Sequence, residues 1–135
     1  MKVKLDPGAY LPERAHVLDA GYDLRSREDA VVPAFGYASF DTGVHVEIPR
    51  NHVGLVTSKS GLMLKGLTSR GTIDSGYTGS IRVVLVNHSS ENYTVFAGDK
   101  ISQLIILPIE TPDLEIVDYL KETERGSSGF GSTGR

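Results

Sequence analysis

Short apolar stretches alternate with turn residues along most of this chain. Residues 44–48 alternate between apolar and polar side chains, a period of two that predicts a strand with one face in solvent. Residues 82–86 and 103–107 are apolar after their first position, as expected for strands covered on both faces. Residues 114–117 are a weaker strand candidate. Many short strands between Gly and Pro residues predict an all-β fold, either a sandwich, a jelly roll or a barrel.

The pattern predicts a single short helix over residues 60–65, where the Ser60 hydroxyl is suited to capping the first turn. Near Glu124 the composition changes to glycine and serine. We therefore expect a folded β domain over residues 1–124 and a flexible C-terminal arm over residues 125–135.

The composition is that of an ordinary globular protein, with 135 residues, 39% hydrophobic and 23% charged. A net charge of -3 disfavours direct binding to nucleic acid, and the absence of cysteine excludes disulfides and thiol nucleophiles. The four histidines lack the paired spacing of a zinc site. No stretch is apolar enough for a membrane span or a signal peptide. We expect a soluble, cytoplasmic protein with no membrane partner.

The arm has the composition of a phosphate-binding loop. Its glycines let backbone N–H groups approach an anion, and its hydroxyls and arginines supply further donors. Such loops usually precede a helix; without one, we expect a segment that closes over a ligand held elsewhere. The alternative is a disordered Gly/Ser tail, in which Phe130 and the flanking Arg125 and Arg135 would have no purpose.

A second glycine-rich segment, residues 71–79, predicts a tight hairpin with bare backbone on which a planar ligand can lie. Asp74 follows the apolar Ile73, and a partly desolvated carboxylate suits a general base. Tyr77 could pack against a sugar or a base. The alternative is an Asx-type turn in which Asp74 bonds its own backbone and Tyr77 fills the core.

Three further segments are weak signals when each is taken alone. Lys59 and Ser60 place a cation and a hydroxyl at the start of the predicted helix, where phosphate oxygens could bind. Residues 98–103 predict a turn into a strand, with Gln103 as an amide donor, and residues 20–24 predict another turn into a strand.

Taken in order, the segments 20–24, 59–62, 71–79, 98–104 and 125–134 resemble the five motifs of the trimeric dUTPases, the deoxyuridine triphosphate nucleotidohydrolases. The resemblance implies a β jelly-roll homotrimer whose subunits share active sites. It also implies hydrolysis of dUTP to dUMP and pyrophosphate with magnesium (Mg²⁺) on the triphosphate. Such an enzyme keeps uracil out of DNA and supplies dUMP for thymidylate synthesis.

The resemblance also implies roles, position by position. Asp74 resembles the base that activates water for attack on the α-phosphorus, and Asp23 the carboxylate that reaches Mg²⁺ through water. Tyr77 would lie under the deoxyribose, and Phe130 would stack on uracil. The other implied substrate-binding residues are Lys59, Ser60, Gly61, Gly71, Thr72, Ile73, Arg82, Gln103, Arg125, Gly131, Ser132 and Thr133.

The chain also departs from the family pattern. Lys59 stands where the family usually has Arg, which turns a bidentate fork into a point charge. Gly76 and Thr78 stand where Asp and Arg are often found, and Ser128 replaces a usual Gly. Residues 67–70 form a shortened stretch in which no uracil-contacting Asn can be assigned.

Two alternatives remain on the same fold: a dCTP deaminase, and a non-catalytic nucleotide sensor or protein-interaction module. A jelly-roll assembly subunit that binds no nucleotide is a third. Asp74 and the arm favour the hydrolase, because deamination attacks the base, away from any lid over the phosphates.

Overall fold

The computed structural model describes residues 1–129, which form an almost entirely antiparallel β structure. Its strands are β1 Val3–Leu5, β2 Gly21–Arg25, β3 Ala30–Val32, β4 Tyr37–Asp41, β5 Val44–Val46, β6 His52–Thr57, β7 Leu67–Ile73, β8 Arg82–Asn87, β9 Tyr93–Val95 and β10 Lys100–Pro108. One helix, α1 Ser60–Met63, lies between β6 and β7. The predicted all-β class with at most one short helix is confirmed.

The main layer is a six-stranded sheet in the order β2-β10-β6-β7-β8-β4, and β1–β5 and β3–β9 form two smaller sheets. Within the main sheet, β10 lies between β2 and β6, with Gln103 opposite Asp23 on one side and Thr57 on the other. This register brings the second, fourth and first predicted motifs together at one end of the sheet.

The core is formed by one face of each strand. Because successive side chains on a strand point to opposite faces, alternate apolar residues from the strands meet in the interior. Leu24, Phe40, Val56, Leu85 and Leu104 are almost completely buried. Each such side chain contributes about 1.5–3 kcal/mol by leaving water, so the sheet is held mainly by this cluster.

The prediction that β8 is covered on both faces is wrong for the single chain. Val83 and Leu85 are buried, but Val84 and Val86 on the opposite face are 40% and 37% exposed. The last residues of β10 are also exposed, Leu107 at 41%. Within residues 1–129 only one side of these strands faces the core, so apolar side chains remain on the other.

The start of α1 also differs from the prediction. Lys59, not Ser60, is the N-cap residue; its backbone is extended and no side chain caps the helix. Ser60 is the first helical residue, and the helix ends at Met63 rather than Lys65.

After β10, residues 109–129 form neither helix nor strand. The predicted strand over 114–117 is therefore wrong: Leu114 and Ile116 are 98% and 100% exposed, and no described strand pairs with them. The predicted site residues Phe130, Gly131, Ser132 and Thr133 lie outside the described residues. No helix in the described part of the chain is both long and apolar enough to cross a membrane.

Candidate active site

The first group of site residues surrounds Asp23, whose side chain is buried at 7% exposure. Its carboxylate pairs with the Lys59 ammonium and, at 2.6 Å, with the Lys100 ammonium. Burial raises the pKa of Asp23, but hydrogen bonds from Lys100 and Lys59 and the charges of both lysines outweigh it, so the pKa lies below its usual value. Two positive charges therefore face one negative charge, and the group carries a surplus positive charge that suits a polyphosphate.

Gln103 belongs to the same group, because it lies directly opposite Asp23 in the β2–β10 ladder. Its amide Nε2 donates a 3.3 Å hydrogen bond to the Ser58 carbonyl. A Cβ placed on Gly21 would lie 2.7 Å from Gln103 Oε1, so the glycine provides the space in which this amide lies.

The turn that carries Lys59, Ser60 and Gly61 is held by Ser58. The Ser58 hydroxyl donates to the Ser69 carbonyl at 3.0 Å and accepts from the Ser69 N–H at 2.8 Å. Ser60 and Gly61 are exposed, and a Cβ on Gly61 would meet nothing within 4 Å. A fixed turn thus presents an open surface beside the two lysines.

The second group lies in the loop 74–81, which connects the antiparallel strands β7 and β8. The predicted tight turn is wrong, because residues 71–73 belong to β7 and the β7–β8 ladder already stops at Ser69–Leu85, which leaves a wide loop between the strands. Asp74 is exposed, so its expected partial desolvation is wrong for the single chain. Its backbone carbonyl accepts from the Tyr77 N–H at 3.0 Å. Among residues 1–129 its carboxylate makes no hydrogen bond, so the Asx-type alternative does not describe this loop. The carboxylate is available to a ligand.

Tyr77 does not fill the core, as the alternative interpretation required. The side chain is 44% exposed, and its hydroxyl donates a 2.9 Å hydrogen bond to the Ser80 carbonyl. The ring lies so close to Gly79 that any Cβ there would collide with it. An aromatic face is therefore held at the surface, next to Asp74.

A fork in the sheet lies beside this loop. The β7–β8 ladder stops at the pair Ser69–Leu85, while β7 continues against β6 as far as Ile73 and β8 continues against β4 as far as Arg82. Backbone groups on the inner edges of residues 70–73 and 82–84 therefore have no partner across the fork. The predicted backbone ligands Gly71, Thr72, Ile73 and Arg82 all lie along it.

The segment that runs from the end of β4 into β5 forms the support beneath the loop. Thr42 Oγ1 donates to the Ile81 carbonyl at 2.7 Å, and the Ile81 N–H donates to the Val44 carbonyl at 2.8 Å. The Ser80 hydroxyl donates to Asp41, and His45 Nδ1 lies 2.8 Å from the Thr78 carbonyl. Every contact comes from the segment 41–45, so that segment fixes where the loop lies.

Within one chain the two groups lie apart. The β6–β7 register places Ser58 beside Ser69 and ends near Ile73, so Asp74 lies just beyond the end of β7, five residues after Ser69. At the rise of an extended strand this separation is about 17 Å. Arg125 is exposed, and its Nε donates to the Ser128 carbonyl rather than to either group. One copy of the chain thus presents two partial sites.

The residues of the first group fit an Mg²⁺ ion that the substrate, rather than the protein, holds with most of its ligands. No cluster of three or more His, Cys, Asp or Glu side chains occurs in the described part of the chain, and both oxygens of Asp23 face lysines. A single carboxylate suits an ion held mainly by phosphate oxygens.

Sequence reasoning missed Asp41, His45 and Lys100. Lys100 lies inside the fourth predicted motif, but its ion pair with Asp23 depends on the register of β2 and β10, which the sequence does not reveal. Asp41 and His45 carried no signal, because their contacts come from a distant loop.

Comparison with known proteins connects this geometry to a family. A family model described as dUTPase matches residues 8–134. The chain belongs to the dUTPase family. The predicted resemblance is thereby confirmed.

The chain is 43% identical over 140 residues to the deoxyuridine 5'-triphosphate nucleotidohydrolase of Clostridium tetani, covering 100% of this chain and 97% of that protein. It is 45% identical over 133 residues to the enzyme of that name from Solanum lycopersicum, covering 97% and 79%. The Staphylococcus bacteriophage 80alpha dUTPase with dUpNHpp superposes with a TM-score of 0.92 at 35% identity, covering 99% and 98%. A mutant dUTPase from phage phi11 of S. aureus, whose structure describes the coordination of a structural Mg(II) ion, has a TM-score of 0.82 at 34% identity, covering 87% and 96%.

Proposed function

We propose that this dUTPase-family enzyme hydrolyses dUTP to dUMP and pyrophosphate at sites shared between copies of the chain. The activity follows from the match over residues 8–134 and from 43% identity to a relative of that name. The observation that supports the sharing is the separation between the Asp23 group and the Asp74 loop. A nucleotide whose phosphates are held by the lysines of one copy needs the loop of another copy to supply Asp74 as the general base.

The Asp23 group is the proposed triphosphate end of the site. Lys59, Ser60, Gly61 and Gln103 would hold phosphate oxygens, since they offer an ammonium, a hydroxyl, backbone N–H and an amide. Asp23 would face Mg²⁺ through water, and the bound ion would neutralise charge on the phosphates. The surplus positive charge supports this role.

The fork is the proposed uracil end. Fixed backbone N–H and C=O groups on its two edges can form hydrogen bonds with the donors and acceptors of uracil. Cytosine has a different pattern of donors and acceptors, so its binding would leave polar atoms without a partner. Tyr77, exposed beside the fork, would lie under the deoxyribose and exclude a ribose 2′-hydroxyl. Asp74 would deprotonate the water that attacks the α-phosphorus, and its free carboxylate suits that role.

We propose that the assembly is a homotrimer. The exposed apolar face of β8, with Val84 and Val86, and the exposed Leu114 and Ile116 after β10 are the surfaces that association would bury. Light scattering on the purified protein should give the mass of three copies. A monomer that hydrolyses dUTP would contradict the shared site.

Residues 125–135 are proposed as the lid that closes over the bound nucleotide, with Arg125, Gly131, Ser132 and Thr133 on the γ-phosphate and Phe130 on uracil. A nucleotide substrate is consistent with the cytoplasmic location expected from the sequence.

The test of the activity is product analysis. The purified protein with Mg²⁺ is incubated separately with dUTP, UTP and dCTP. We expect dUMP and pyrophosphate from dUTP and little turnover of the other two. Ammonia released from dCTP would favour the deaminase, and dUTP binding without pyrophosphate would favour the sensor; either result overturns the proposal.

A further inference from the structure

The buried Asp23 carboxylate has two lysine partners, one more than it needs for charge compensation. Lys59 pairs with Oδ1, and Lys100 pairs with Oδ2 at 2.6 Å. A single ammonium would neutralise the carboxylate, so one of the two lysines can leave Asp23 without exposing an unpaired buried charge.

The two lysines differ in how firmly they are placed. Lys59 is on the turn after β6, in the N-cap position of a four-residue helix without a side-chain cap, and next to the open surface of Ser60 and Gly61. Lys100 is a residue of β10, opposite Arg25 on β2. Lys59 is therefore the one that can turn toward a phosphate without leaving a strand.

A β-bulge explains why Lys100 reaches Asp23. The β2–β10 register shifts between Lys100 and Ser102, so Ile101 is an extra residue, and it is buried together with Ser102. Without the bulge, Lys100 and Gln103 would point to opposite faces because side chains alternate along a strand. The extra residue restores a common face, and Asp23, the partner of Gln103, lies on it.

The proposed function requires Lys59 to bind the triphosphate, and this has a consequence for Asp23. Removing the only cation from a buried carboxylate leaves an uncompensated charge, which is strongly destabilising. In this chain Lys100 would still be in place.

We infer that Lys100 is a positioning residue that pairs with the Asp23 carboxylate and holds it in place while the triphosphate draws Lys59 away. The inference rests on the proposed function. Lys100 acts through Asp23 and does not itself touch the nucleotide, a distinction that can be measured.

The experiment is a double-mutant cycle on nucleotide affinity, measured by calorimetry with dUpNHpp in EDTA so that neither turnover nor metal contributes. The variants are Lys100→Met, Asp23→Asn and the two combined. Lys100→Met should weaken binding about tenfold or more, because Lys59 must then abandon an otherwise unpaired charge. In the Asp23→Asn background the same change should have a much smaller effect, because only the long-range attraction between the Lys100 charge and the triphosphate is then lost.

Three controls make the cycle specific. Lys100→Arg keeps the charge and should bind dUpNHpp nearly as the parent does. Lys2→Met removes an exposed lysine that pairs with Glu47 and should change nothing. Deoxyuridine has no phosphate to draw Lys59, so Lys100→Met should leave its affinity unchanged.

Each other outcome overturns the inference. An equal loss in both backgrounds would mean that Lys100 binds phosphate directly, and no loss in either would mean that it is a surface ion pair. Lys100→Met should also fold, because Lys59 still compensates Asp23 without nucleotide, and an unfolded variant would contradict that. A parent protein that binds no dUpNHpp overturns the proposed function as well, whereas normal dUTP hydrolysis with an additive cycle overturns this inference alone.

Discussion

Ser80 donates a hydrogen bond from its hydroxyl to the Asp41 carboxylate, and this contact joins the loop that carries Asp74 to the end of β4. Asp41 also accepts a 2.8 Å bond from Arg27. The bond from Ser80 lowers the pKa of Asp41, burial raises it, and the Arg27 charge lowers it, with a net result below the usual value. The acceptor is thus an ionised carboxylate, and it holds Ser80 in place. The Tyr77 hydroxyl in turn donates a hydrogen bond to the backbone carbonyl of Ser80.

Ser80→Ala should weaken the support of Tyr77. Losing a hydrogen bond to a charged acceptor should lower the free energy of unfolding by about 1–3 kcal/mol and raise the KM for dUTP more than it lowers kcat. Thermal unfolding and steady-state kinetics measure the two effects. Ser90→Ala, at an exposed serine, is the control, and equal KM values for the two variants would show that Ser80 does not place Tyr77.

Two glycines in the same loop provide a matched pair. A Cβ on Gly79 would collide with the Tyr77 ring, whereas a Cβ on Gly76 would meet nothing within 4 Å. Gly79→Ala should therefore displace the ring and reduce the kcat/KM ratio of dUTP over UTP, and Gly76→Ala should leave that ratio unchanged. If both variants discriminate as the parent does, the ring's position does not determine sugar choice.

The sequence was sufficient for the elements that depend on local pattern. The order of five glycine-containing segments predicted the family, and the turn before Lys100 and the strand connection around Asp74 are where the pattern placed them. What depends on register was not predictable: the bulge at Ile101 brings Lys100 onto Asp23, and the segment 41–45 meets a loop more than thirty residues away. Val84 and Val86 were predicted to be buried because an apolar run does not reveal whether a second layer comes from the same chain.

His45 should make the loop's support dependent on pH. The Thr78 carbonyl at Nδ1 and the Asp6 carboxylate 3.1 Å from Nε2 raise the pKa of His45 and outweigh the opposing effects of burial and Lys4. A raised pKa stabilises the fold below the ordinary value of 6.5, and the benefit disappears as pH rises through the folded-state value. The difference in unfolding temperature between the parent and His45→Gln should thus be larger at about pH 5.5 than at about pH 8.5. A difference that grows with pH would contradict this.

Deleting residues 125–135 tests the proposed lid. The described residues of that segment make local contacts only, so the truncated protein should keep its unfolding temperature and its oligomeric mass. Hydrolysis of dUTP should fall severely, because closure is what would align the α-phosphorus and exclude water. Full activity in the truncated protein would remove the lid from the mechanism.

The central claim is that Asp74 is the base, and the most direct measurement compares Asp74→Asn with Asp19→Asn in dUTP turnover and dUpNHpp binding. Asp19 is a partly exposed carboxylate that accepts from the His16 N–H, an interaction that Asn can keep. We expect Asp74→Asn to bind dUpNHpp nearly as tightly as the parent and to lose roughly 10²–10⁴-fold in kcat, with Asp19→Asn unchanged in both. Near-parental turnover by Asp74→Asn would contradict the account.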